Sequence, residues 1–200
     1  ESVEVVIAGY QKKTQILSED EKKVVAYHEV GHALVSLATR GRCDIVTITI
    51  EQEGTGTLGY VQHERRATAL PTPQDIENEV AVLMGGMAAE RMVFGAFSAG
   101  NSSDLKQATR QARAYAATYG MSDAGFVQFP YAGTTACKTE DLPPAVLGAM
   151  NALLDEGLAS ASAILEEHRA VFDTMVEKLL GAGTLKGADM DALWKEGAAR

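Results

Sequence analysis

Residues 24–35 read VVAYHEVGHALV, with His28 and His32 four positions apart and Glu29 directly after the first. On an α-helix, positions i and i+4 share a face. The two imidazoles can therefore meet one metal ion. Zinc accepts neutral imidazole nitrogen at about 2.0–2.1 Å, and a catalytic zinc keeps one position open for water. Glu29 is turned about 100° round the helix from its neighbour, so it reaches a water beside the metal and not the metal. H-E-x-x-H is the metalloprotease form of this geometry. The pattern is short enough to arise by chance. Its bland alternative is two core or interface histidines beside a solvated glutamate.

Two histidines leave zinc short of a protein ligand. The H-x-x-G-x-x-H extension that would supply one on the same stretch is absent: Val35 stands at its Gly position and Ala38 at its His position. His63 and His168 fit surface or capping roles. Glu77 and Glu79 read as solvated charges on a helix face. Glu90 and Asp104 remain. Glu90 is a carboxylate in an otherwise apolar, Gly/Ala-rich segment, and buried carboxylates need partners. It could bind the metal or orient a ligand histidine through the other ring N–H. Asp104 opens a helix, where an acidic residue is also favoured by the helix dipole. Spacing alone does not separate the two.

The elements that must carry these residues are mostly helical. Ser18 and Glu21 form a capping-box pattern, and Arg40-Gly41 closes the segment, which predicts a helix over 19–40. CDIVTITIEQ (43–52) alternates and is β-branched, so it predicts a strand, with YVQH (60–63) returning. Between them GTGTLG matches the letters of a dinucleotide loop. That loop must open a helix, and here β-type residues follow, so a hairpin turn explains it better. Helices are predicted over 74–95, 104–120 and 145–181, with a short last helix after TLKG. Gly85-Gly86 inside the first of these suggests close backbone packing. Residues 1–12 read as a short amphipathic helix or its tail, and 121–144 as mostly irregular. The sum is a mainly α chain with a small β-hairpin.

Two hundred residues suit one domain. The hydrophobic fraction is 46%, enough for a real core. A net charge of −9 argues against non-specific nucleic-acid binding. Cys43 and Cys137 stand far apart, which points to reduced thiols and not to a disulfide framework. No secretory signal pattern opens the chain. No run reaches the roughly 18 to 20 apolar residues of a spanning helix. The chain as given is expected to be soluble, and its abrupt start suggests a fragment of a longer protein.

YHEVGHALV, VTITIEQEGTGTLGY, MGGMAAERMVFG, SAGNSSDLKQAT and YGMSD, in this order, resemble the FtsH-type ATP-dependent zinc metallopeptidases, a group that includes the mitochondrial AAA proteases. The likeness is strong from about Gly9 to Asp123 and weaker in the final helices. It implies a zincin-like helical peptidase domain with a small β-hairpin over 15–200, and a tail of an upstream ATPase lid or linker over 1–14. It implies zinc held by His28, His32 and Asp104, with Glu29 catalytic and Glu90 orienting a ligand histidine. Met87, Thr57 and Ser98-Ala99 depart from the family pattern, and 126–145 looks shortened. None of these departures removes a ligand or the base.

The resemblance further implies a zinc endopeptidase acting on unfolded or membrane proteins. ATP would be used only in an ATPase domain absent from this chain. The full-length protein would be a homo-hexamer anchored in a bacterial inner membrane or an organelle membrane. In peptide hydrolysis, strand 45–50 could offer an exposed edge to an extended substrate. The rival expectations are a helical assembly module of the same ring with little chemistry of its own, and a zinc hydrolase acting on something other than peptides.

Overall fold

The computed structural model describes residues 18–39, 43–51, 59–65, 70–126, 128–129 and 141–198. The expected segment 1–14, the hairpin turn and most of 126–145 lie outside them.

Helix α1 (Glu19–Ala38) begins where the sequence places it. Ser18 Oγ accepts from the Glu21 N–H at 3.2 Å, and the Glu21 carboxylate accepts from the Ser18 N–H at 2.8 Å. Each side chain thereby satisfies a backbone donor that the first turn leaves open. From Glu29 to Ser36 every residue of α1 is buried. The helix is not an amphipathic stripe but a rod through the middle of the fold, covered on all sides.

Helix α2 (Pro73–Phe94) repeats the device with Thr72 and Asp75, has Pro73 in its first turn, and ends at Gly95 with φ 74°. That left-handed residue is the usual glycine stop. Gly85 and Gly31 let α1 and α2 touch backbone to backbone: a Cβ on Gly31 would lie 2.5 Å from the Gly85 carbonyl oxygen, and one on Gly85 2.7 Å from that of Gly31. The glycine pair therefore does pack closely, as its place in a helix suggested.

Helix α3 (Ser102–Arg113) runs on through a π turn at Ala114–Thr118, so the helical run starts and ends two residues earlier than the 104–120 expected and its last turn is not α. The predicted 145–181 helix is two: α4 (Pro144–Glu167) and α5 (Arg169–Ala182), broken at His168. The His168 ring meets Trp194 edge-to-face at 4.6 Å, which gives this histidine a packing role. α5 stops at Gly183, φ 73°. The last helix is α6 (Gly187–Ala198).

Strands β1 (Cys43–Thr49) and β2 (Tyr60–Arg65) are antiparallel, as a hairpin requires. A third strand, β3 (Thr184–Lys186), pairs with Thr47–Thr49 from the other side, so the order is β2-β1-β3. The expectation that strand 45–50 is a sheet edge is thus wrong: β1 is the middle strand, and β2 is an edge among the described residues. The three-residue β3 carries too little pattern to be read from sequence.

The buried core among the described residues mixes alanines, at Ala26, Ala33, Ala88, Ala89 and Ala108, with large side chains, at Leu34, Leu165, Phe172, Met175 and Leu179. Small residues bring helix axes close and large ones fill the wider gaps. Glu77 and Glu79 are not simply solvated. The Tyr115 hydroxyl donates to Glu77 Oε1 at 3.1 Å, and the Gln111 side chain donates to Glu79 Oε2 at 2.8 Å, tying α2 to α3 and the π turn.

Candidate metal centre

Three helices place the polar residues of the interior together. α1 supplies His28, Glu29 and His32; α2 supplies Glu90 near its end; α3 supplies Asp104 in its first turn. His28 Nε2 lies 3.3 Å and His32 Nε2 3.6 Å from Asp104 Oδ2, and the two Nε2 atoms are 3.0 Å apart. All three groups offer an atom within 4.8 Å of the others. Glu90 joins this cluster from one side only, with Oε1 2.8 Å from His28 Nδ1.

The outer ring nitrogens decide what the inner ones can be. His32 Nδ1 lies 2.7 Å from the Val82 carbonyl oxygen, which can only accept. His28 Nδ1 faces a carboxylate, which accepts when ionised. Both rings must therefore carry hydrogen on Nδ1. In the neutral rings this turns two bare Nε2 lone pairs toward each other and toward the Asp104 carboxylate. Three electron-pair donors converge with no proton of their own between them. Such a set calls for a cation, and two imidazoles plus a carboxylate match zinc.

The charge balance agrees. Burial works against a charged His28 ring. Hydrogen bonds to Asp104 and Glu90, with the nearby Glu29 charge, outweigh it and raise its pKa from 6.5 to about 9 when only protein groups surround it. For Asp104, burial opposes ionisation, but donation from the two histidine rings in their protonated, metal-free form holds its carboxyl well below the usual carboxylate range. Burial likewise opposes an ionised Glu90. Donation by His28, by the Ser98 N–H and by Asn101 wins and lowers its pKa.

Glu29 differs. It is buried, and desolvation pushes its carboxyl up despite the neighbouring histidines. Gly59, just before β2, lies over it: a Cβ there would be 3.4 Å from Glu29 Cγ and 2.9 Å from the Thr49 carbonyl oxygen. A carboxylate held above its ordinary pKa beside a cation site is suited to taking and returning a proton.

His28, His32, Asp104, Glu29 and Glu90, all singled out by the sequence, come together here. His168 does not, and of His63 only the backbone is described, paired with Ile45. Sequence reasoning missed the Val82 carbonyl, the Ser98 N–H, the Asn101 side chain and the contact of Gly86 with His28. A carbonyl carries no residue signature, and an Asn in a polar loop looks like any other loop residue. The glycine pair was visible, but not that its second member faces the metal site.

The chain is similar to known proteins. The model for peptidase family M41 matches residues 15–193. An ATP-dependent zinc metalloprotease FtsH from Lancefieldella parvula is 36% identical over 98% of this chain and 32% of its own length. ATP-dependent zinc metalloprotease FtsH 4 from Synechocystis is 33% identical over 96% of this chain and 33% of its own. The chain thus spans about a third of the length of these curated relatives. Among the described residues no helix is long and apolar enough to cross a membrane. The helical architecture with its small antiparallel sheet and the match along most of the chain agree: this protein belongs to peptidase family M41, the peptidase domains of FtsH-type zinc metalloproteases.

Proposed function

We propose that the chain hydrolyses peptide bonds, with zinc held by His28 Nε2, His32 Nε2 and the Asp104 carboxylate and with Glu29 as general base. The observation that carries the reading is the converging set of three electron-pair donors whose outer nitrogens are already committed to Val82 and Glu90. When bound, zinc supplies Lewis acidity, which makes a water acidic enough to attack near neutral pH and polarises a carbonyl.

The protein's own groups do the rest. Glu29 takes a proton from the attacking water and passes it to the departing amine. The rise in its pKa on burial makes Glu29 a stronger base for the first half of that transfer. Glu90 keeps the His28 ring turned with Nε2 inward. The substrate we propose is an extended, unfolded polypeptide pairing with β2, an edge strand among the described residues, with Gly59 just before it packed over Glu29. Backbone pairing of that kind tolerates many sequences.

The relatives' names support an ATP-dependent setting, and their greater length leaves room for a further module. As the family resemblance implies, we further propose that an ATP-driven module in the full-length protein feeds this domain, that residues 1–14 belong to the link between the two, and that the assembly is a membrane-anchored homo-hexamer.

The test is zinc per chain by elemental analysis, with casein turnover alongside. One zinc in the wild type, largely lost in Asp104→Ala, is expected. Glu29→Gln should keep the zinc and lose turnover by about 10²- to 10⁴-fold. Zinc retained in Asp104→Ala would remove Asp104 from the ligand set. Zinc without casein cleavage would favour a hydrolase of other substrates, and no zinc after reconstitution would favour an assembly module.

A further inference from the structure

Asn101 sits at the end of a 3-10 turn, Ala99–Asn101, immediately before α3, and is buried to 3% exposure. Its side-chain Nδ2 donates to Glu90 Oε1 at 2.8 Å and to the Ser98 carbonyl oxygen at 3.2 Å. Its Oδ1 is buried with no hydrogen-bond partner among the described residues. Turning the amide over would point Oδ1 at the Glu90 carboxylate, so the nitrogen must face Glu90. The protein thus leaves one buried acceptor unmatched and gains one donor aimed at Glu90. An unmatched buried acceptor is costly, so the gain must lie in what that donor does.

Glu90 sits between this loop and the metal site. Oε1 takes the Asn101 amide and the His28 Nδ1 hydrogen; Oε2 takes the Ser98 N–H. Three donors on one buried carboxylate fix its position and keep it ionised. An ionised, fixed Glu90 in turn fixes the tautomer and plane of His28 and makes Nε2 a stronger donor to a metal. Without the Asn101 amide, Glu90 is held by Ser98 and the histidine, and its Oε1 can swing away from the ring.

Resting on the zinc site proposed above, we propose that Asn101 is a positioning residue for that site: its amide holds Glu90 against His28 and so tightens the grip on the metal from the loop that leads into α3. Ser98 shares the task through its backbone, which substitution leaves in place; Asn101 shares it through a side chain, which substitution removes. The alternative is that Asn101 only braces the 95–101 loop, since its own N–H also donates to the Ser98 carbonyl at 3.4 Å. A brace affects how stable the protein is, not how tightly the folded protein binds zinc.

The experiment measures zinc affinity by competition with a chromophoric chelator on the folded 200-residue chain, with the melting temperature of each variant recorded in chelator. Wild type and His28→Ala are the controls. A wild type that takes no zinc, or His28→Ala that binds like wild type, would sink the zinc site itself and this inference with it. With the controls behaving, Asn101→Ala is expected to weaken zinc binding by about 10- to 100-fold. Affinity within twofold of wild type, whatever the melting temperature does, would overturn the role of Asn101 and leave the zinc site standing.

Asn101→Asp keeps the shape but replaces the donor with a second carboxylate facing Glu90, so it should weaken binding at least as much at neutral pH. It decides the question if Asn101→Ala does not fold. Failure of both variants to fold would also overturn the proposal, because Asn101 would then serve the fold and not the metal.

Discussion

Gly86 lies flat against the imidazole of His28: a Cβ placed there would come within 2.6 Å of Nδ1 and 2.7 Å of Nε2. No other residue type leaves the ring where it is. Gly86→Ala should therefore push His28 aside and weaken zinc binding roughly tenfold or more. The ring is the free end of a side chain and can rotate away, and Ala suits a helix better than Gly by about 1 kcal/mol. Stability in chelator should accordingly change by no more than about 1 kcal/mol. Chelator competition and urea melts check the two halves. Unchanged zinc affinity would show that the ring has room the geometry denies it.

Gly31 makes the opposite case. Its neighbour is the Gly85 carbonyl, a backbone group that cannot rotate away. Gly31→Ala should force α1 from α2 and cost about 1–3 kcal/mol in urea unfolding. A variant as stable as wild type would mean that the helices can separate without penalty.

The first turn of α2 gives a smaller, local prediction. Thr72→Ala removes the acceptor for the Asp75 N–H. It should lower stability by about 1 kcal/mol. Zinc affinity should stay unchanged, since Glu90 lies at the far end of the helix. A loss of zinc binding in this variant would contradict that separation.

The His28 pKa gives a pH prediction for protein stripped of metal by chelator. Its folded value, about 9, lies above the ordinary 6.5. Folding therefore favours proton binding. The stability this adds is complete below pH 6.5 and is lost as pH rises through 9. Wild type minus His28→Ala, compared by urea melts across that window, should show the difference shrinking with rising pH. With zinc present the trend should reverse, because the metal competes with protons for Nε2 and binds better as pH rises. A difference that does not vary with pH would show that His28 does not hold the proton in the stripped protein.

Part of the proposed site could be read from the chain because two of its three proposed ligands follow helix geometry. Asp104 was separated from Glu90 only by the family resemblance. His28, Glu29 and His32 are one helical turn, and Ser18 and Glu21 announce where the helix starts. Glu90 was conspicuous as a charge among apolar residues. What escaped reading depends on partners far along the chain. Glu77 and Glu79 look solvated until Tyr115 and Gln111 arrive beside them. β1 looks like an edge until Thr184–Lys186 pairs with it. α1 looks amphipathic, yet Glu29–Ser36 is covered on every side, because Gly31 and Ala33 let neighbours come close where a larger residue would have shown its face. Asn101 has no pattern at all: the role proposed for it follows from the Glu90 oxygen its amide reaches.

The proposed metal site draws on α1, α2 and α3, and its third donor comes only at residue 104. An isolated α1 could offer zinc two nitrogens and nothing more. The third donor becomes available only after the chain between them has closed its hairpin and laid α2 along α1. Zinc would then bind late in folding and act as a seal on a finished core, not a seed for it. In a refolding experiment, zinc uptake would lag behind helix formation, and added zinc would slow unfolding more than it speeds folding.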